Sequence, residues 1–86
     1  MKFLIGDIGN TSTKICVLNS KFKILRSYNF TTKKLHKVNF LKMITRKNIN
    51  KDLNPVFLFS SGVPRVFKNV KEKLKSTKYK ILELKN

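Results

Sequence analysis

The first thirty residues form short β-forming runs separated by polar turns, and this pattern constrains the fold most strongly. Residues 3–8 have the composition of a buried strand, and residues 13–18 return to β-forming types after a polar turn. After the turn at residues 19–21, residues 22–30 alternate well enough to predict a third, more exposed strand. Three strands joined by turns this short predict an antiparallel meander.

The spacing of apolar residues then changes from that of a strand to that of a helix. Val38, Leu41 and Ile44 recur at helical spacing, which predicts a helix over residues 34–48. A polar, turn-rich stretch follows, and residues 56–59 are a short continuous apolar run. Such a run is typical of a central strand in a parallel part of a sheet.

A second helix and a last strand complete the predicted order. Pro64 suits the first turn of a helix, and residues 79–84 have the composition of a strand. One face of the second helix is predicted from the apolar residues Val66, Phe67, Val70 and Leu74. The order βββαβαβ predicts one α/β domain over residues 1–86, because the chain shows no internal repeat, linker or domain boundary.

The charge of the chain is strongly positive, with 20 Lys and Arg against 4 Asp and Glu and a net charge of +16. Such a charge is compatible with a nucleic-acid partner. The lysines are spread along the whole chain, however, and nothing matches a named DNA- or RNA-binding motif. We therefore expect a solvated surface and no nucleic-acid partner, and a small basic nucleic-acid or nucleotide-binding module is the alternative.

The remaining composition predicts a cytoplasmic protein. The one cysteine, Cys16, excludes an internal disulfide and a multi-cysteine zinc site, and its position in a strand predicts a small buried side chain. The apolar run before Asp7 is too short for a signal peptide, and no run reaches the length of a membrane span, so no membrane partner is expected.

The polar turn after the first strand is the main candidate site. Gly9 allows a close approach of a ligand to the backbone, and the N–H groups of residues 9–13 can form an anion-binding concavity. The side chains of Asn10, Thr11, Ser12 and Thr13 would add donors. The alternative is an ordinary tight hairpin, which uses the same residue types.

The order of these residues resembles a phosphate loop. Asp7-Ile8-Gly9-Asn10-Thr11 is similar to the D-x-G-N-T loop of type III pantothenate kinases, and Lys14 extends the similarity to a D-x-G-N-T-x-x-K form. Ser60-Ser61-Gly62-Val63-Pro64 resembles the S-S-V-V-P segment of the same family, with Gly62 in place of Val. The resemblance covers nearly all of this chain but only the N-terminal portion of a family member.

This resemblance implies a fold and a reaction. The fold would be the ribonuclease-H-like layout of the actin, hexokinase and Hsp70 ATPase superfamily. The full protein would transfer the γ-phosphoryl of ATP to pantothenate, the first step of coenzyme A synthesis, as a homodimer. In this chain Asp7 would hold Mg²⁺ through water against the β- and γ-phosphates, and Lys14 would reach a phosphate. Lys14 shares its strand face with Cys16 and Leu18.

Other parts of the family pattern are absent from this sequence. The G-A-D-R-like segment that carries the catalytic aspartate and the pantothenate pocket is missing, as is the acid that binds a monovalent cation, K⁺ or NH₄⁺. Asp52, Glu72 and Glu83 have no clear role as a general base near the loop. We therefore predict no catalytic residue here and an inactive isolated chain, and a decayed relative that only binds nucleotide is a further alternative.

Overall fold

The computed structural model describes residues 1–37 and 52–84. Its five strands are β1 (Phe3–Ile8), β2 (Ser12–Leu18), β3 (Ile24–Thr31), β4 (Val56–Ser61) and β5 (Lys80–Leu84). A 3₁₀ helix follows β3 (Thr32–Lys37), and one α-helix, α1 (Pro64–Leu74), lies between β4 and β5. No helix in these two described stretches is long and apolar enough to cross a membrane.

The five strands form one mixed sheet in the order β3-β2-β1-β4-β5. β1, β2 and β3 pair antiparallel, as the short turns predicted, whereas β4 lies parallel to β1 and β5 lies parallel to β4. The α/β class and the antiparallel meander are therefore confirmed. The first strand of the chain is also the centre of the sheet, which places the loop after β1 between neighbours on both sides.

One face of the sheet carries the hydrophobic core. Phe57 and Phe59 of β4 are fully buried there, and Val70 and Leu74 of α1 pack onto the same cluster. The other strands contribute the buried residues Leu4, Ile8, Ile15, Val17 and Ile81, and the 3₁₀ helix contributes Leu35. The spacing of apolar residues in α1 predicted this packing because residues three and four apart lie on one side of a helix.

Gly6 of β1 lies beneath the ring of Phe59. A Cβ atom added at Gly6 would be 2.5 Å from ring carbon Cδ2 and 2.6 Å from Cζ, well inside van der Waals contact. Glycine at this position therefore lets the buried phenyl ring of Phe59 lie directly against the backbone of β1.

The third strand begins later than the sequence predicted. The prediction started at residue 22, but β3 starts at Ile24, and Phe22 has a positive φ of 63° within the preceding turn. The Asn19 side-chain oxygen accepts hydrogen bonds from the N–H groups of Lys21 (2.9 Å) and Lys23 (3.0 Å). The ring of Phe22 lies 5.5 Å from that of Phe3 between centroids. These contacts favour the turn over strand pairing at Phe22.

Replacing Asn19 with alanine should therefore weaken this turn. We expect the free energy of unfolding to fall by about 1 kcal/mol, because two backbone N–H groups lose their acceptor while remaining near water. Urea denaturation measures the change. Ser20→Ala, at an exposed position of the same turn, is the matched control and should change the free energy by less than about 0.5 kcal/mol. Equal losses in the two variants would contradict a specific role of Asn19.

The remaining predicted elements agree with the structure where it describes them. The helix predicted from Pro64 is confirmed, the apolar run of residues 56–59 extends as a strand through Ser61, and the last strand starts at Lys80. The helix predicted over residues 34–48 lies largely outside the described residues. Its first four residues belong to the 3₁₀ helix, which starts at Thr32.

Candidate functional site

The candidate loop connects β1 to β2 at the centre of the sheet. The Gly9 N–H donates to the Ser12 carbonyl (3.0 Å), and the side chains of Asn10, Thr11 and Ser12 are exposed. A Cβ atom on Gly9 would lie 3.0 Å from the Ser12 oxygen, a tight contact. Glycine therefore allows this turn to close, and the side chains of Asn10, Thr11 and Ser12 remain at the surface. The Gly9 N–H, which was predicted as an anion donor, is instead used within the turn.

The second motif lies beside the first. β4 runs parallel to β1 with Asp7 opposite Ser60 and Ile8 opposite Ser61. The Gly62 N–H donates to the Ile8 carbonyl (2.9 Å), and the Ser61 hydroxyl accepts from the Val63 N–H (3.0 Å). Ser61 thus caps the backbone in the strand-to-helix connection. The two motifs, which are far apart in the chain, end at the same edge of the sheet.

Asp7 and Lys14 are directly opposite each other on neighbouring strands. The register of β1 with β2 places them on the same face, and both side chains are exposed. Within residues 1–37 and 52–84, the one ion pair joins the amino terminus to Asp52 (3.1 Å), so neither Asp7 nor Lys14 is held in a salt bridge there. A carboxylate and an ammonium group are therefore both accessible next to the loop.

Two further polar residues lie beside Asp7 and Lys14 and were not predicted as site residues. Asn29 of β3 is opposite Lys14, and Ser60 of β4 is opposite Asp7, so four polar side chains cross the sheet on one face. The sequence carried no direct signal for Asn29, because its position depends on the register of β2 with β3. Ser60 was recognised as part of a motif but without its place beside the aspartate.

Cys16 and Leu18 continue the Lys14 face of β2, as the alternation predicted. Both are buried, with 6% and 7% of their surface exposed. The Cys16 thiol lies 3.8 Å from the Ser27 hydroxyl oxygen of the neighbouring strand. The predicted role of Cys16 as a small buried side chain is confirmed.

Thr13 differs from its neighbours in the loop because its side chain points into the protein. It is fully buried, and its hydroxyl lies 3.0 Å from that of Thr32 at the start of the 3₁₀ helix. The alternation of β2 explains this direction, since Thr13 shares a face with the core residues Ile15 and Val17. The Thr13 hydroxyl is therefore directed to Thr32 and away from the exposed surface of the loop.

The start of α1 lies near the same edge. Gly62, which bonds to the end of β1, precedes the first helical residue, Pro64, by two positions. The first turn contains no acidic residue, and Val63 makes no side-chain cap. The positive end of the helix dipole therefore adds to the field at this edge of the sheet.

The described residues hold no cluster of three or more His, Cys, Asp or Glu side chains that could bind a metal ion alone. A metal at this edge would need further ligands from a bound molecule, and one exposed carboxylate, Asp7, fits that arrangement because Mg²⁺ in phosphate sites keeps several waters. A cavity of about 500 Å³ lies elsewhere, between the last part of α1 and β5, and includes none of the loop residues. The loop forms an open edge.

A mixed α/β sheet with a polar loop after its central strand is consistent with a nucleotide-binding protein. The chain is 44% identical over 69 residues to a type III pantothenate kinase from Pelagibacter ubique (strain HTCC1062). The chain is therefore homologous to part of a type III pantothenate kinase, and the resemblance predicted from its motifs is confirmed.

The similarity covers most of this chain but only a small part of the relative. The aligned residues make up 79% of this chain but 27% of the Pelagibacter kinase, so the chain spans about a quarter of the length of that relative. No family model matches the chain.

Proposed function

We propose that this chain is the N-terminal, ATP phosphate-binding part of a pantothenate kinase that works in coenzyme A biosynthesis. The observation that carries the proposal is the meeting of the two motifs, with Asp7 at the end of β1 directly beside Ser60 of β4. The 44% identity to a type III pantothenate kinase supports the substrate pair, ATP and pantothenate, for the whole protein. A cytoplasmic location fits this role.

The proposed fold is the ribonuclease-H-like layout of the actin, hexokinase and Hsp70 ATPase superfamily. The strand order β3-β2-β1-β4-β5, with an antiparallel meander followed by two parallel strands, supports it. β3 to β4 and β4 to β5 are both parallel connections that run in the same direction across the sheet. A right-handed crossover from β4 to β5 places α1 on the core face of the sheet, opposite the face with Asp7 and Lys14.

The loop would bind the phosphates of ATP through its backbone and side chains. Gly9 gives access to the backbone, and Asn10, Thr11 and Ser12 present exposed polar groups. Thr13 would contribute through its place in the backbone, since its hydroxyl faces the interior. Lys14 would approach a phosphate from the strand face and offset its negative charge.

Asp7 is the residue proposed to hold Mg²⁺. Its carboxylate is exposed and free of ion pairs within the described part of the chain, so it can accept hydrogen bonds from water bound to the metal. When bound, Mg²⁺ would supply positive charge that offsets the negative charge of the phosphates during phosphoryl transfer. Asp7 would place it and would not contact the phosphates directly, because like charges repel.

The rest of the reaction is assigned to the part of the kinase that this chain does not match. That part would supply the catalytic base, the pantothenate pocket, the monovalent-cation site and the contacts of a homodimer. The chain matches 27% of its relative, which leaves ample length for these parts.

Calorimetric titration of this chain with ATP, with and without Mg²⁺, tests the proposal. We expect saturable binding that Mg²⁺ strengthens, together with no phosphorylation of pantothenate by the chain alone. Absence of ATP binding at millimolar concentrations would contradict the assigned role of the loop. Formation of phosphopantothenate by these residues alone would contradict the proposed division of roles.

A further inference from the structure

Thr32 bonds to the candidate loop through both its side chain and its backbone. Its hydroxyl donates to the Gly9 carbonyl (2.6 Å), and its N–H donates to the Thr11 carbonyl (2.9 Å). Thr32 is the first residue of the 3₁₀ helix after β3 and is 6% exposed. One buried residue from another element therefore holds two carbonyl groups of the loop.

The direction of the hydrogen bonds follows from the number of protons. A threonine hydroxyl has one proton, and that of Thr32 is used by the Gly9 carbonyl. The Thr13 hydroxyl, 3.0 Å from that of Thr32, must therefore donate to it. The result is a buried chain from Thr13 to Thr32 to Gly9, in which no side-chain polar atom lacks a partner.

These bonds bear on anion binding because backbone carbonyl oxygens repel phosphate. A loop that binds an anion must turn its N–H groups toward the ligand and its carbonyls away from it. Thr32 holds the Gly9 and Thr11 carbonyls toward the protein, and the Gly9 N–H donates a hydrogen bond to the Ser12 carbonyl. The carbonyls of Gly9, Thr11 and Ser12 therefore all accept hydrogen bonds from donors within the chain.

We propose that Thr32 is a positioning residue for the phosphate loop. It keeps the Gly9 and Thr11 carbonyls away from the phosphates and thereby sets the affinity of the loop for a nucleotide. This inference deepens the proposed function and rests on it. Thr32 itself need not touch the nucleotide, since its hydroxyl is buried and its proton is already used.

Thr32→Val tests this role because valine keeps the size and the backbone N–H but removes the hydroxyl. The matched control is Thr77→Val. The Thr77 hydroxyl also donates to a carbonyl, that of Leu74 (2.7 Å), and accepts from the Tyr79 N–H (3.1 Å), but it lies after α1 and outside the loop. Thr32→Ser restores the hydroxyl and serves as the conservative variant.

Calorimetric titration with Mg·ATP gives the first result. We expect Thr32→Val to weaken binding about tenfold, which is the effect of about one hydrogen bond, and Thr32→Ser and Thr77→Val to remain within about threefold of the wild type. Circular dichroism confirms that each variant is folded. Equal weakening in Thr32→Val and Thr77→Val would show a general loss of stability and would overturn the proposal.

Amide hydrogen exchange without nucleotide gives a second result that does not depend on ATP binding. Exchange of the Gly9 and Thr32 amides should become about tenfold faster in Thr32→Val and stay unchanged in Thr77→Val. If the wild type binds no Mg·ATP, the proposed function fails while this exchange result still tests the positioning of the loop. Unchanged exchange in Thr32→Val would overturn the inference in either case.

Discussion

Replacing Gly6 with alanine is expected to lower the free energy of unfolding by about 3 kcal/mol, the upper end of what overpacking a core usually costs. The new methyl group would overlap the ring of Phe59. That ring is fully buried and packed among core residues, so it cannot move aside without displacing its neighbours. The loss is large beside the roughly 5–15 kcal/mol that stabilises a typical domain.

Urea denaturation of Gly6→Ala measures this effect, and Gly62→Ala is its control. A Cβ atom on Gly62 would meet only the Ile8 carbonyl oxygen, at 3.8 Å, and no glycine of the described chain has a positive φ. We therefore expect a change of less than about 1 kcal/mol in the control. A loss in Gly6→Ala no larger than that in the control would show that Phe59 has room to shift.

Replacing Asp7 with asparagine is expected to change the affinity for Mg·ATP and the affinity for metal-free ATP in opposite directions. Affinity for Mg·ATP should fall at least about tenfold, because the carboxylate that holds the metal is lost. Affinity for ATP without metal should stay the same or rise, since a negative charge near the phosphates is removed. Asparagine keeps the size of the side chain, and Asp7 is exposed, so the fold should be retained.

Asp52→Asn is the matched control for this measurement. Asp52 is also an exposed acid, but it pairs with the amino terminus, and its neighbour Leu53 bridges to Lys2 just before β1, at the opposite end of that strand from Asp7. Its substitution should leave the affinity for Mg·ATP unchanged. A fall of the same size in both variants would contradict a specific role of Asp7.

The same variant separates the kinase from a nucleic-acid-binding module. The charge of +16 motivates that alternative, which predicts binding to DNA or RNA that weakens steeply with salt. Asp7→Asn removes an acid and cannot remove a phosphate contact, so nucleic-acid binding would survive it. The nucleic-acid-binding module would be favoured if Asp7→Asn binds nucleic acid in a salt-dependent way and the wild type does not bind Mg·ATP.

The order of the five strands and of α1 was predictable because each has a local cause. The turn after β1 follows from Gly9 and its polar neighbours, and the start of α1 follows from Pro64. The class of the fold and the position of the loop after a buried strand could therefore be derived from residue types and their spacing alone.

The parts of the site that the sequence could not supply depend on contacts between distant segments. The bond between Thr13 and Thr32 joins positions that are separated by all of β3, so no local pattern reveals it. The place of Asn29 beside Lys14 depends on strand register, which includes an irregularity between Val17 and Leu18. The alternation of residues 22–30 predicts a strand at Phe22, whereas Asn19 fixes a turn there.

The central place of β1 has a consequence for the order in which the sheet forms. The ribosome makes β1 before the other four strands. Soon afterwards β2 can pair with β1, and β3 with β2, through short turns within microseconds. Its other edge stays unpaired until β4 has been synthesised, because that partner is parallel and distant in the chain. A nascent chain that has released β3 but not β4 therefore exposes the strand that later becomes the most enclosed, and this interval is when it is most open to aggregation.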